Sequence, residues 1–172
     1  MTGAVVGTRV QAVELPDLAA TARFAAAIAA ELRPGDVVAL SGTLGAGKTT
    51  LARAILLALG HGGEVPSPSF SIVELYEPPG VRLPVVHADF YRLTDAAEAS
   101  EIGLDDYREG AALIAEWPEK AGGFVHEVAC LSIRLEISSE PVGDACLAVG
   151  ERRSAIVEGG PDWVIRDLWT SL

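Results

Sequence analysis

A glycine-rich segment at residues 42–49, GTLGAGKT, constrains the fold of this chain more than any other feature. It has the spacing G-x-x-x-x-G-K-[ST], in which successive backbone N–H groups can point inward at phosphate oxygens. The short run before it, residues 36–40 (DVVAL), is typical of a strand buried on both faces of a parallel sheet. Residues 49–59 after it have the pattern of a helix that Gly60 closes. The sequence therefore predicts a strand, a phosphate-binding loop and a helix, in this order.

Each type of residue in such a loop has a chemical task. Gly42, Gly45 and Gly47 permit backbone angles that a Cβ atom would forbid. Lys48 places an ammonium group near the β- and γ-phosphates, and the hydroxyl of Thr49 can hold Mg²⁺. The positive end of the following helix adds to the attraction. Because the chain lacks the guanine-specific motif [NT]-K-x-D, we expect ATP with Mg²⁺ rather than GTP.

Phosphoryl transfer also needs a carboxylate at a strand end, where it organises Mg²⁺ or the attacking water. Two acids end apolar strands of the predicted sheet: Asp89 follows residues 83–88, and Glu116 follows residues 111–115. The spacing alone leaves open which of them faces the metal. His87 lies two residues before Asp89 on the same face of its strand, so it could orient that acid.

The rest of the chain alternates strands with helices, which is typical of an α/β domain. We expect further strands at residues 9–14, 70–76, 131–137 and 154–157. We also expect a first helix capped by Asp17, a weak acidic helix at 95–110, and a C-terminal helix at 161–172 that docks through Trp163 and Trp169. No linker or repeat divides the sequence. Residues 1–172 should therefore form one domain with a mostly parallel central sheet flanked by helices.

Charge and composition narrow the class of protein. The chain has 24 acidic and 13 basic residues and a formal net charge of −11, which argues against a surface that binds nucleic acid by itself. Its two cysteines, Cys130 and Cys146, form no metal-binding pattern, so we expect reduced, buried thiols in a cytoplasmic protein. We recognise neither a secretory leader nor an apolar run of the ~18 residues that a membrane span requires.

Four motifs follow one another along the chain: LGAGKTT at residues 44–50, SPSF at 67–70, HADFYRL at 87–93 and EWPE at 116–119. In their order and spacing they resemble those of the TsaE (YjeE) family of small bacterial ATPases. The resemblance covers nearly the whole chain, and the last two motifs are its most specific part. The chain departs from the family at Ser69 and Phe90, where Thr and Leu are usual. The serine keeps a hydroxyl group.

The resemblance implies a role in the threonylcarbamoyl modification of an adenosine beside the anticodon of tRNAs that read codons beginning with A. Proteins of this family act with the TsaD–TsaB pair, which carries out the transfer, and their ATP hydrolysis resets that assembly between cycles. Contact with tRNA is then only indirect, through the complex. An acidic surface is compatible with this role.

The resemblance also assigns site residues by their position in the motifs. Lys48, Asp89 and Glu116 would be catalytic, and Thr49 and Glu116 would hold the metal. Ser69 would supply a switch hydroxyl, Trp117 would lie beside the nucleotide, and Arg152 or Arg153 would approach the adenine. The set expected to contact the nucleotide is Thr21, Gly42, Leu44, Gly45, Ala46, Gly47, Lys48, Thr49, Thr50, Ser69, Trp117 and Arg152.

Other interpretations stay open at this point. A small-molecule kinase would carry the same loop, but it needs an acceptor pocket and usually an arginine-bearing lid, and Arg152 and Arg153 are the only adjacent basic pair. A nucleotide-gated scaffold would use binding without hydrolysis. The acidic run at residues 95–109 could face a partner, although such runs are more often solvated surface. Because no arginine finger is evident, we expect the isolated chain to hydrolyse ATP slowly.

Overall fold

The computed structural model describes residues 7–68, 71–141 and 149–172, and a seven-stranded mixed sheet forms its centre. The strands are β1 (Arg9–Glu14), β2 (Val37–Gly42), β3 (Val73–Tyr76), β4 (Val85–Asp89), β5 (Ala112–Glu116), β6 (Cys130–Pro141) and β7 (Val149–Gly159). Their order across the sheet is β1-β7-β6-β2-β5-β4-β3. The four strands β6, β2, β5 and β4 run parallel, and β7, β1 and β3 pair antiparallel at the two sides. The predicted α/β class and the parallel centre of the sheet are confirmed.

The register of the parallel strands brings three strand ends to one edge of the sheet. Leu40 of β2 pairs with Glu116 of β5, and Glu116 pairs with Asp89 of β4. β2 continues to Gly42, where the glycine-rich loop begins. Because parallel strands end at a common edge, both acids that the sequence singled out lie beside this loop.

Helices cover both faces of the sheet. They are α1 (Leu18–Glu31), α2 (Lys48–Ala58), α3 (Ala97–Glu101), α4 (Leu104–Arg108), α5 (Pro161–Val164) and α6 (Leu168–Ser171), with a 3₁₀ helix at Pro118–Ala121. Successive residues of a strand point to opposite faces, so β2 contributes to two cores. Val38 packs in the core that contains Ile55 of α2, and Val37 packs in the core that contains Leu104 of α4. Both cores hold β2 in place beneath the loop.

The first helix begins where the sequence predicts. The side chain of Asp17 accepts a hydrogen bond from the amide of Ala20 at 2.6 Å, which satisfies one of the unpaired N–H groups in the first turn. This cap sets the start of α1 and places Thr21 in its first turn, on the side of the glycine-rich loop. In the N-terminal half of the chain, the strands and helices therefore follow one another in the predicted order.

Several elements differ in extent from the prediction. The acidic segment 95–110 forms two short helices because Gly103 between them adopts a left-handed conformation, with φ 74°. The C-terminal helix is likewise divided, by residues 165–167. Among the strands, β3 begins at Val73 rather than at residue 70, and β7 is longer than residues 154–157 because it pairs with both β1 and β6.

A buried ion pair lies at the break in the C-terminal helix. The guanidinium of Arg166 donates to both carboxylate oxygens of Asp36, at 2.6 and 2.9 Å, and to the carbonyl of Glu31 at 3.0 Å. These bonds join the C-terminal segment to the end of α1 and the start of β2. Trp163 and Trp169 on either side are buried, as predicted.

The thiol of Cys130 is buried at the start of β6, and burial raises its pKa to about 12. The prediction of a buried thiol is confirmed for Cys130. Cys146 lies outside the described residues. Of the helices in the described ranges, none combines the length and the apolar character that a membrane crossing needs.

Candidate nucleotide-binding site

The glycine-rich loop joins the end of β2 to the start of α2, as the sequence predicts. Gly42, Gly45 and Gly47 have φ values of 133°, 80° and 105°, which side chains with a Cβ atom rarely adopt. At Gly42 a Cβ atom would also overlap the backbone carbonyl oxygen of Leu135 in β6. The loop can therefore lie flat against β6 only with glycine at this position. Its backbone N–H groups and the N-terminus of α2 form the kind of concave surface that binds anions.

Lys48 is the first residue of α2, and its side chain lies across the loop. Its Nζ atom donates to the carbonyl oxygens of Gly42 and Thr43, both at 2.8 Å. The ring of Trp117 covers the same ammonium group at 3.9 Å from the ring centroid. Burial lowers the pKa of Lys48, and the negative charges of Glu116, Glu119 and Asp89 oppose this shift. A cation thus stands at the centre of the loop, surrounded by carboxylates that favour its charged form.

Glu116 connects the loop to the neighbouring strand. The hydroxyl of Thr49 donates to Glu116 Oε2 at 2.7 Å, and the carboxylate is only 1% exposed. A hydroxyl and a carboxylate are oxygen ligands of the type that Mg²⁺ prefers. Of the two acids left open by the sequence, Glu116 is the one in contact with Thr49, so this pair could hold the metal.

Asp89 lies on the other side of Glu116, at the end of β4. Its carboxylate accepts a hydrogen bond from the backbone amide of Tyr91 at 3.0 Å, which holds the turn after the strand. Asp89 is buried but still contributes to the wall of the cavity above the loop. The described contacts of the two acids therefore differ. Glu116 accepts a hydrogen bond from the Thr49 hydroxyl, whereas Asp89 accepts one from the backbone of Tyr91 and lines the cavity wall.

His87 has a different partner from the one its position in the sequence suggests. We expected it to orient Asp89, which is two residues further along the same strand. Its Nε2 atom instead lies 2.8 Å from Oε1 of Glu116, on the adjacent strand β5. The reason is the parallel register, which places Glu116 opposite Asp89 and therefore close to the same face of β4.

A cavity of about 400 Å³ opens above the loop. The predicted residues that line it are Leu44, Gly45, Gly47, Lys48, Thr49, Thr50, Asp89, Glu116 and Trp117. Tyr91 and Arg92 also line it, although neither was predicted from the sequence as a site residue. The ring of Tyr91 lies 5.1 Å from that of Trp117. Tyr91 and Arg92 are two and three residues beyond Asp89, the acid that ends β4, and this closeness in sequence was the available signal for both.

A smaller cavity of about 100 Å³ lies on the other side of the loop, beside α1. Thr21 and Ala46, both predicted to contact the nucleotide, line it together with Arg153. Arg152 and Arg153 are both exposed, and Arg152 is not among the residues that line either of these two cavities. Adjacent residues of a strand face opposite ways, so of the two arginines that the sequence left open, Arg153 is the one beside the loop.

The last two residues predicted to contact the nucleotide are Gly42 and Ser69. Gly42 lies beneath the loop and acts through its carbonyl oxygen, which accepts from Lys48. Ser69, the predicted switch hydroxyl, lies outside the described residues.

Comparison with known proteins agrees with the motifs. The family model for threonylcarbamoyl adenosine biosynthesis protein TsaE matches residues 15–143, which contain the loop, both acids and His87. This chain belongs to the TsaE family. The TsaE match begins just before α1 and ends beyond β6.

Similar proteins carry the same family name. A tRNA threonylcarbamoyladenosine biosynthesis protein TsaE from Streptomyces coelicolor is 40% identical over 139 residues, which cover 80% of this chain and 89% of that protein. A TsaE protein from Haemophilus influenzae is 42% identical over 92 residues, which cover 53% of this chain and 57% of that protein. A TsaE protein from Mycobacterium bovis is 38% identical over 113 residues, which cover 61% of this chain and 67% of that protein. The crystal structure of Bacillus subtilis YdiB has the same fold, with a TM-score of 0.64, 24% identity and coverage of 95% of this chain and 94% of that one.

The contact between Gly42 and β6 yields a test of the loop geometry. We expect Gly42→Ala to lower the free energy of unfolding by at least about 2 kcal/mol more than Gly35→Ala, because the new Cβ atom overlaps a backbone carbonyl. Gly35 is a matched control: its φ is also positive, 90°, but a Cβ atom there meets nothing within 4 Å. Its substitution should cost only about 1–2 kcal/mol for the backbone conformation. Urea unfolding measures both, and equal losses would show that the close approach to Leu135 is unimportant.

Proposed function

We propose that this chain binds ATP with Mg²⁺ in the cavity above the glycine-rich loop and hydrolyses it in the service of tRNA threonylcarbamoyladenosine synthesis. The observation that carries the proposal is the contact between Thr49 and Glu116 at the mouth of the glycine-rich loop, with Lys48 beside it. A cation, a set of backbone amides and a hydroxyl–carboxylate pair are the three elements that a nucleoside triphosphate with its metal requires.

Lys48 and the loop would bind the phosphates. Two backbone carbonyls hold the ammonium group in place, at hydrogen bonds of 2.8 Å each. Phosphate oxygens are stronger acceptors because they are charged, so we propose that Lys48 exchanges these carbonyls for the β- and γ-phosphates. The exchange needs only a small movement, since the loop and the ammonium group are already adjacent.

The residues at this site fit Mg²⁺ by the chemistry of their donor atoms. Thr49 and Glu116 would hold the ion, and when bound it would neutralise charge on the phosphates. Asp89 lines the same cavity as Glu116 and is the second carboxylate in its wall. We propose that Asp89 orients the water that attacks the γ-phosphate, while Lys48 stabilises the charge that develops there.

The biological setting follows from the family. The TsaE relatives are named for tRNA threonylcarbamoyladenosine biosynthesis, and the motifs imply partners of the TsaD and TsaB type. We propose that the chain reaches tRNA only through that complex, because a net charge of −11 disfavours direct binding to the phosphates of a nucleic acid. We propose further that turnover is slow without these partners and that hydrolysis resets the complex. We propose a cytoplasmic location, where the modification of tRNA takes place.

The two lysines of the chain give a matched test of nucleotide binding. We expect Lys48→Ala to weaken binding of ATP with Mg²⁺ by about 100-fold, because it removes charge-assisted bonds to two phosphates. Lys120→Ala should leave the affinity unchanged, because this lysine is exposed in the 3₁₀ helix after Trp117. Titration calorimetry measures both affinities. The nucleotide site would lie elsewhere if both variants bound ATP as the unaltered chain does.

Glu116→Gln separates binding from hydrolysis. The substitution keeps the size of the side chain and removes its negative charge, so we expect ATP to bind while the rate of ADP formation falls by about 100-fold. Release of phosphate without any added acceptor measures the rate and distinguishes an ATPase from a small-molecule kinase. If the variant lacks hydrolysis yet fully supports tRNA modification in cells that depend on it, binding alone is sufficient and the chain is a nucleotide-gated scaffold.

A further inference from the structure

His87 is the most completely buried polar side chain near the site, and it does not line the cavity. Its exposed fraction is 0%, and its Nε2 atom lies 2.8 Å from Oε1 of Glu116. The ring therefore lies behind the carboxylate rather than beside the space that a substrate would fill. Any effect of His87 on the reaction has to act through Glu116.

The two oxygens of Glu116 have separate partners. Oε1 accepts from Nε2 of His87, and Oε2 accepts from the hydroxyl of Thr49 at 2.7 Å. A carboxylate that is held at one oxygen cannot rotate freely, so its other oxygen keeps one direction. In this case the direction is toward Thr49 and the cavity.

The second ring nitrogen of His87 argues against a role in packing alone. Among the described residues, Nδ1 has no hydrogen-bond partner although it is buried. Burial of a polar atom without a partner lowers the stability of a protein, and an apolar residue at this position would avoid that cost. Within the part of the chain that the structure describes, the ring makes one hydrogen bond, the bond to Glu116, and an apolar residue could not supply it.

We propose that His87 is a positioning residue, which fixes the carboxylate of Glu116 so that Oε2 is presented to the metal together with Thr49. The proposal rests on the proposed function and deepens it. Hydrogen bonds from surrounding residues to metal-binding side chains contribute about 10–100-fold to metal affinity or activity. The Nε2–H group of His87 is such a donor, and it sits on β4, the strand that neighbours β5 in the parallel sheet.

Three substitutions test this hydrogen bond. His87→Leu fills the space without a donor. His87→Gln places an amide N–H group close to the position of Nε2, whereas His87→Asn carries the same amide on a chain that is too short. His126→Leu, at an exposed histidine, controls for the loss of a histidine as such. For each variant, calorimetry measures the affinity for a non-hydrolysable ATP analogue with and without Mg²⁺, and the hydrolysis rate is measured over a range of Mg²⁺ concentrations.

We expect His87→Leu and His87→Asn to reduce the gain in affinity that Mg²⁺ provides by about 10–100-fold and to raise the Mg²⁺ concentration for half-maximal hydrolysis by a similar factor. Binding of the analogue without Mg²⁺ should be unchanged, and His87→Gln should restore most of the gain. If His87→Leu does not fold, the comparison of Gln with Asn decides the question. Equal behaviour of these two, or an unchanged Mg²⁺ dependence in all three variants, would overturn the proposal. The proposed function itself fails separately, if the unaltered chain neither binds the analogue nor hydrolyses ATP.

Discussion

The hydrogen bond between Thr49 and Glu116 joins the two parts of the molecule on which the site depends. Thr49 belongs to the first turn of the helix after the glycine-rich loop, and Glu116 ends the parallel strand next to the one that leads into the loop. This contact exists only because β2 and β5 are paired in parallel with Leu40 opposite Glu116. A shift of that register by one residue would turn the carboxylate to the other face of the sheet. The two cores that hold β2 and β5 in register therefore also determine the chemistry at their ends.

Much of this arrangement could be predicted from the sequence, because its signals are local. The glycine spacing at residues 42–49 fixes a loop, the apolar run before it fixes a buried strand, and Asp17 fixes the start of α1. The position of Asp89 and Glu116 at the ends of apolar runs places them at the loop edge of a parallel sheet. For these features the residue type and its sequence neighbours contain all the information that is needed.

Other features depend on which elements become neighbours, and the sequence does not contain that information in local form. The partner of His87 is set by the pairing of β4 with β5. Its position within β4 alone suggested Asp89, whereas its partner is Glu116 on β5. The choice between Arg152 and Arg153 depends on which face of β7 turns toward the loop. The buried ion pair of Arg166 is made with Asp36, which is 130 residues away from it in the sequence. The position of Trp117 over Lys48 likewise requires the end of β5 to lie beside the loop.

We propose that the loop, Lys48 and the Thr49–Glu116 pair together bind a nucleoside triphosphate and its metal. The most direct test is a crystal structure of the chain with Mg²⁺ and a non-hydrolysable ATP analogue. We expect the triphosphate over the loop, the Nζ atom of Lys48 moved from the carbonyls of Gly42 and Thr43 to phosphate oxygens, and the metal bound to Thr49 and Glu116. An analogue bound away from the loop, or a metal held by Asp89 while the hydrogen bond from Thr49 to Glu116 stays intact, would contradict it.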